Sequence, residues 1–462
     1  MKAGPTWLLV VAVCVATMLA TAPACVARDF LVSPAGTPAG DGSKAGPWDL
    51  ATALAQPAAV RPGDTLWLLG GTYRGIFTAR LKGTAQAPVT LRQAPGQRAT
   101  IDCVAADGQL GLFTVEGEHA RYWGFEVTCS GTDRYAEEKG SHPPEGNRGG
   151  VNATGGHLAF INLVVHDGSN GFGWWSSGEG GELYGCIIYN NGWDAPDRGH
   201  GHAVYAQNKT GTKRLVDCIL FNQFCYGIHA YGSSRAFING FHLEGNASFN
   251  NGAAKSAQSL APCILVGGGS PSQRIVVRDN FTYSTGHRAT ALQLGYGADN
   301  KDAVVTGNYL VGPSTLTKWE RLEVTGNTFI APDGPVGVGP PPEDLDLAAS
   351  NTLIRGRPTG TKVFVRPNRY EPGRAHVIVY NWDKQPEVEV DLAQVLKTGA
   401  AFRLVSAQDF FGKPIVEGRY DGKPVRVPMT EYRAPAPVGK PDYVPPATGP
   451  EFNVFVVLPQ TP

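Results

Sequence analysis

Between His200 and Asn251 the apolar and polar positions alternate in short bursts. Val204-Tyr205-Ala206-Gln207 and Ile228-His229-Ala230-Tyr231 each put an aliphatic or small residue on one side and a large polar or aromatic one on the other. A period of two predicts strands with one face buried and the other exposed. Each burst precedes a second, Leu215-Val216-Asp217-Cys218-Ile219-Leu220-Phe221-Asn222 and Leu243-Glu244-Gly245-Asn246-Ala247-Ser248-Phe249-Asn250. The pair recurs as a unit.

Aligned on the second burst, Asn162, Cys186, Cys218, Asn246, Asn280, Asn308 and Asn327 share one register, at offsets of 24, 32, 28, 34, 28 and 19 residues. A unit of that length holds several short strands and cannot bury its apolar face alone, whereas stacked copies can. The recurrent Asn predicts a side-chain ladder at a tight turn. Leucine-rich spacing is missing, and no blade period near 40 residues holds.

The pattern resembles the right-handed parallel β-helix of the pectate-lyase-like superfamily, over about residues 29 to 335. Phe30 to Gly75 is similar to the opening of many secreted β-helix proteins: a strand, a Gly/Asp loop and a short amphipathic helix, here Trp48 to Ala58, covering the first coil. From about Gly360 the strands alternate without the Asn register, which predicts a small antiparallel β-sandwich over 360–462. That region resembles accessory domains of secreted carbohydrate-acting enzymes. A Pro/Gly linker over 336–359 would join the two.

Composition supports this all-β reading. Gly (59) and Pro (35) are abundant, yet hydrophobic residues reach 42% and charged ones only 17%, so the chain is turn-dense rather than disordered. Formal net charge is zero, so there is no global field favouring nucleic acid or an anionic polymer, and no nucleic-acid partner is expected; a local basic patch is compatible with that balance. Met1-Lys2 and the apolar run from Trp7 to Ala22 read as a signal peptide over 1–27, too short for a membrane span. They imply a secreted, periplasmic or cell-surface protein, read as a monomer, and Cys25 offers a lipidation alternative. Without a CxxC pair or a Cys/His metal spacing, Cys186 and Cys218 read as buried free thiols about 4.8 Å apart.

Stacking the first bursts in register gives an outward column of Asn152, Trp174 or Trp175, Tyr205, His229, Leu265 and Gln293. Beside it run Thr154, Ser176, Gln207, Tyr231, Gly267 and Gly295. Aromatic faces stack on sugar C–H surfaces and amides bond hydroxyls, so Asn152, Trp174, Trp175, Gln207 and Gln293 are the expected binding residues for a polysaccharide. Tyr205 above His229 offers an acid–base pair suited to eliminating across a uronic acid, with Tyr231 and His202 nearby. The cation that offsets the developing charge would come from Arg198, Lys209, Lys213 or Arg235. Hydrolysis instead needs two carboxylates, and Asp194, Asp197 and Glu244 are available. A third reading is a non-catalytic glycan-binding surface protein. Gly199-His200-Gly201 resembles a polygalacturonase motif, but its clustered aspartates and Arg-x-Lys are not matched. No metal site or cofactor is evident, though calcium is compatible with the sequence.

Overall fold

The computed structural model describes residues 1, 27–144, 148–256, 259, 261–285, 289–332 and 346–460. The signal-peptide reading, with Cys25, falls outside the described residues except for Met1 and Ala27. Among the described residues no helix is long and apolar enough to cross a membrane.

The chain is a parallel β-helix. Three all-parallel sheets of eleven, nine and eleven strands run along one coil, and the chain visits them in rotation. Inward residues form one continuous core, in which Leu183, Leu215, Leu243, Val277 and Val305 stack on successive rungs. The cap helix is only Leu50–Leu54: the Asp49 carboxylate accepts from the Thr52 amide to start it, and it stops at Ala55, two residues before Pro57.

The tight turn between the first and third sheets explains the Asn register. Asn246, Asn280, Asn308 and Asn327 are buried, and each amide Nδ2 donates to the Oδ1 of the next: 2.9 Å, 3.0 Å, 2.8 Å, then 2.8 Å to Asn351. Cys218 occupies the same position and its backbone N–H donates to Asn246 Oδ1. Asn162 does not belong to the ladder. Ile161 pairs with Tyr184 and Val164 with Ile187, so Leu163 aligns with Cys186, and Asn162 with Gly185. That preceding position has positive φ (Asn162 53°, Gly185 65°, Asp217 53°, Gly245 68°), a region only Gly, Asn and Asp enter readily. The six described cysteines are buried and free.

The coil continues past the expected end. Thr352–Arg355 lies within the stretch read as a linker, yet it pairs with Thr328–Ala331 as the last strand of the third sheet. After it, a five-stranded antiparallel sheet and a two-stranded one enclose a second core around Val377, Leu404, Val427 and Phe455. The larger sheet also packs on the coil. Tyr189, Phe221, Phe249 and Tyr283 on the third sheet meet Tyr380, Trp382, Phe452 and Val454. The second sheet, on another face of the coil, carries the candidate site.

Candidate active site

Strand pairing in the second sheet aligns Asn152, Gly173, Tyr205, His229, Leu265, Gln293 and Thr315. Gly173, not a tryptophan, holds the outward position on its rung. Trp174 alternates inward and is fully buried, which corrects the reading of it as a ligand-facing residue. Trp175 lies just past the strand end and folds back over Gly173, where an added Cβ would sit 2.9 Å from the indole. Its Nε1 donates to Asn152 Oδ1 at 2.6 Å, and its ring stands edge-on to Tyr205 with centroids 5.5 Å apart. Gln207 and Gln293 are half-buried on the same face.

A cleft of about 550 Å³ opens where this face meets the loop 191–202. Arg198, His200, His202, Tyr205, Tyr226, His229 and Tyr231 line it, together with Ser141, Asn170 and Trp193. The Tyr205 and His229 ring centroids are 5.1 Å apart, and those of His229 and Tyr231 5.4 Å. Tyr226 and Tyr296 carry no role in the sequence reading. Tyr226 stacks on His202 at 4.9 Å, and the Tyr296 ring covers Gly267, whose missing Cβ leaves room for it.

Tyr226 has a sequence signal. Asn170, His202 and Tyr226 each stand two residues before a second-sheet strand (Phe172, Val204, Ile228), so they form a third column. Each of the first two caps the next rung: Asn170 Oδ1 accepts from the His202 backbone N–H at 3.0 Å, and His202 Nδ1 from that of Tyr226 at 3.3 Å. An Nδ1 that accepts carries no proton, so His202 holds its proton on Nε2. That N–H donates to His229 Nδ1, 3.1 Å away. The remaining His229 proton therefore sits on Nε2, which is buried and unpartnered.

Charging this pair is unfavourable. Burial and then the Arg198 charge hold His229 down to about 3. Burial, reinforced by His229, keeps His202 well below the usual imidazole range. Burial, with Tyr231 adding to it, pushes the Tyr205 phenol up to about 12 despite an opposing hydrogen bond from Gln207. His200, stacked on Trp193 at 5.2 Å, is also lowered by burial and then by Arg198. At neutral pH the cleft presents neutral imidazoles and phenols, with Arg198 as the one cation among its lining residues.

Several other expected residues lie elsewhere, and Lys209 and Arg235 are not among the lining residues. Lys213 is fully buried; its ammonium donates to the carbonyls of Trp175 (2.6 Å) and Gln207 (2.8 Å) and sits 4.7 Å from the Trp174 ring centroid. Burial pulls its pKa down to about 7, and it serves the packing between rungs rather than the cleft. Glu244 is on the first sheet, bonded to His242 at 2.5 Å and paired with Arg366 of the C-terminal region at 3.6 Å. Asp197 stands beside the cleft, 3.2 Å from Arg198 and 3.5 Å from His200 Nε2. Asp194 is buried and held by the Ser256 amide and by Lys440. No carboxylate is among the lining residues.

Among the described residues, one grouping has metal-ligand geometry, Glu118, His119 and His157, with ligand atoms within 4.8 Å of one another. It sits at a turn before the first sheet and shares no residue with the cleft.

No family model and no curated protein matches the chain. Among solved structures, it is similar to pectate lyase Pel9A at 20% identity, with a TM-score of 0.44 over 65% of this chain and 78% of that one. It is also similar to an alginate lyase from Paenibacillus sp. str. FPU-7 (17% identity, TM-score 0.41, 65% and 99% covered). A third similar structure is a glycoside hydrolase (11%, 0.40, 71% and 97%).

Proposed function

We propose that the protein is an extracellular polysaccharide lyase that cleaves an acidic glycan by β-elimination at a uronic acid. The carrying observation is a cleft with a phenol–imidazole pair and one guanidinium and no carboxylate among its lining residues. Elimination needs a base for the proton α to the carboxylate, an acid for the leaving oxygen, and positive charge for the enediolate. Tyr205, kept as a phenol, is the proton donor to the leaving oxygen. Arg198 supplies the charge. His229 is unprotonated at neutral pH, and the burial and Arg198 charge that hold it so also make it a weak base until a substrate carboxylate offsets Arg198.

In the resting network His229 Nε2 is a donor. It becomes an acceptor when its proton leaves into the cleft, the His202 Nε2 proton passes to His229 Nδ1 and water returns a proton to His202 Nδ1, which sets that N–H against the Tyr226 N–H at a cost of roughly 1–3 kcal/mol. Trp175, Asn152, Gln207 and Gln293 extend the binding face along the coil. A calcium ion would need oxygen ligands, for which Asp197 is the adjacent carboxylate. Hydrolysis is less well supported, because Asp194 and Glu244 are engaged elsewhere and Asp197 has no carboxylate partner in the cleft.

The test is incubation with uronic and neutral glycans, read by ultraviolet absorbance and by reducing ends. The expected result is new absorbance from an unsaturated uronate. Reducing ends without that absorbance, or retention without products, would refute elimination in favour of hydrolysis or simple binding.

A further inference from the structure

A second cleft, of about 440 Å³, lies between the coil and the C-terminal sheet and shares no lining residue with the first. Four guanidinium residues line it, Arg92, Arg98, Arg374 and Arg403, against two carboxylates, Glu126 and Glu371. Glu126 is already engaged by Arg98 at 2.7 Å and His166 at 2.8 Å. Glu371 accepts from Asn162 Nδ2 at 3.0 Å and Arg374 Nη1 at 3.2 Å.

Positive charge is left over. The Arg374 side chain is 6% exposed, and its Nε and Nη2 are buried without an acceptor. Leaving such donors unpaired is costly, which points to an absent acceptor. Arg92 lies 3.7 Å from the Trp123 ring centroid and has no ion pair among the described residues.

We propose that this junction binds the carboxylate of an acidic sugar residue. A planar guanidinium matches a carboxylate with two parallel N–H donors. Trp123 and the exposed Phe411 each carry a guanidinium over one face, Arg92 at 3.7 Å and Arg98 at 3.6 Å, so the two aromatic–arginine stacks frame the donors and leave at most one face of each ring for the sugar. The site would hold an acidic glycan away from the cleft that carries chemistry. It stands whether or not that cleft eliminates.

The experiment is calorimetric titration of the full chain carrying Tyr205→Phe, with trigalacturonate as probe and cellotriose as its neutral counterpart. Trigalacturonate binding that survives adding His229→Ala, but weakens at least ten-fold with Arg92→Ala and Arg403→Ala, is expected. Cellotriose is expected to bind at least ten-fold more weakly. Arg403 is exposed and Arg92 half-buried between Trp67 and Trp123, while Arg374→Met tests the buried donors directly; each variant is read only with an unchanged melting curve. No detectable binding, binding indifferent to the arginine pair, binding lost with His229→Ala, or equal affinity for cellotriose overturns the proposal. Failure of the elimination reading shows separately, as no unsaturated product from the unsubstituted protein.

Discussion

Histidines occupy two sheets of this coil in opposite electrostatic states. On the third sheet, His166 lies between Glu126 (2.8 Å) and Asp167 (2.7 Å), and Arg98 and Arg134 complete the network. Burial disfavours its charge, but the two carboxylate hydrogen bonds more than reverse this and raise its pKa to about 9. On the second sheet, His202 and His229 face each other, with aromatic rings and one arginine around them, and both stay neutral. The first region satisfies its polar atoms and stacks His166 on Tyr189 at 4.7 Å, next to the docked C-terminal sheet. The second leaves a buried N–H without a partner in an open cleft. Histidine content does not mark a reactive region; unsatisfied, uncharged groups beside an opening do.

This contrast is sharpest in Tyr205→Phe. If the second sheet carries the chemistry, product formation on an acidic glycan falls about 10²–10⁴-fold while the melting temperature hardly moves. An unaffected rate breaks the assignment.

On the third sheet the expected effect is on stability. His166→Gln removes the positive bridge between two buried carboxylates and costs on the order of 3 kcal/mol in chemical denaturation. The folded pKa, about 9, exceeds the unfolded value near 6.5, so the contribution is full below about pH 6.5. It is lost as pH rises through about 9. A difference from the unsubstituted protein that grows with pH contradicts the imidazolium.

Arg198→Ala is expected to lower kcat/KM about 10–100-fold, and Glu244→Gln to leave it within about two-fold, because only the first lines the cleft. Trp175→Ala, which removes one stacking face, should raise KM several-fold, a loss of about 1 kcal/mol. The smallest effect expected is in the pH profile. With His229 unprotonated down to about 3, kcat/KM should stay flat from about pH 5 to about 8. A limb near 6.5 shows a histidine titrating in the cleft.

Much of the coil is legible in the chain, because its determinants are local. Alternation identifies the strands, and Gly, Asn and Asp mark the positive-φ turns. Equal offsets before Val204 and Ile228 already place His202 and Tyr226 in one column. The errors came where rung lengths differ. One residue of slip moved Asn162 into the ladder and Trp174 out of the core, since a period of two reverses every side chain on such a shift.

The sequence by itself determined the stacked β repeat, the turn chemistry and the Tyr205–His229 neighbourhood, all of which rest on residues close along the chain or on a regular period. Only the tertiary structure decided which tryptophan faces out, where Lys213 and Glu244 lie, and how protons are placed in the His202–His229 pair. It alone put Arg374 and Arg92 on the lining of one cleft. Those outcomes depend on register between distant rungs and on docking of the C-terminal sheet, which hydrogen bonds and packing across hundreds of residues set and no local pattern encodes.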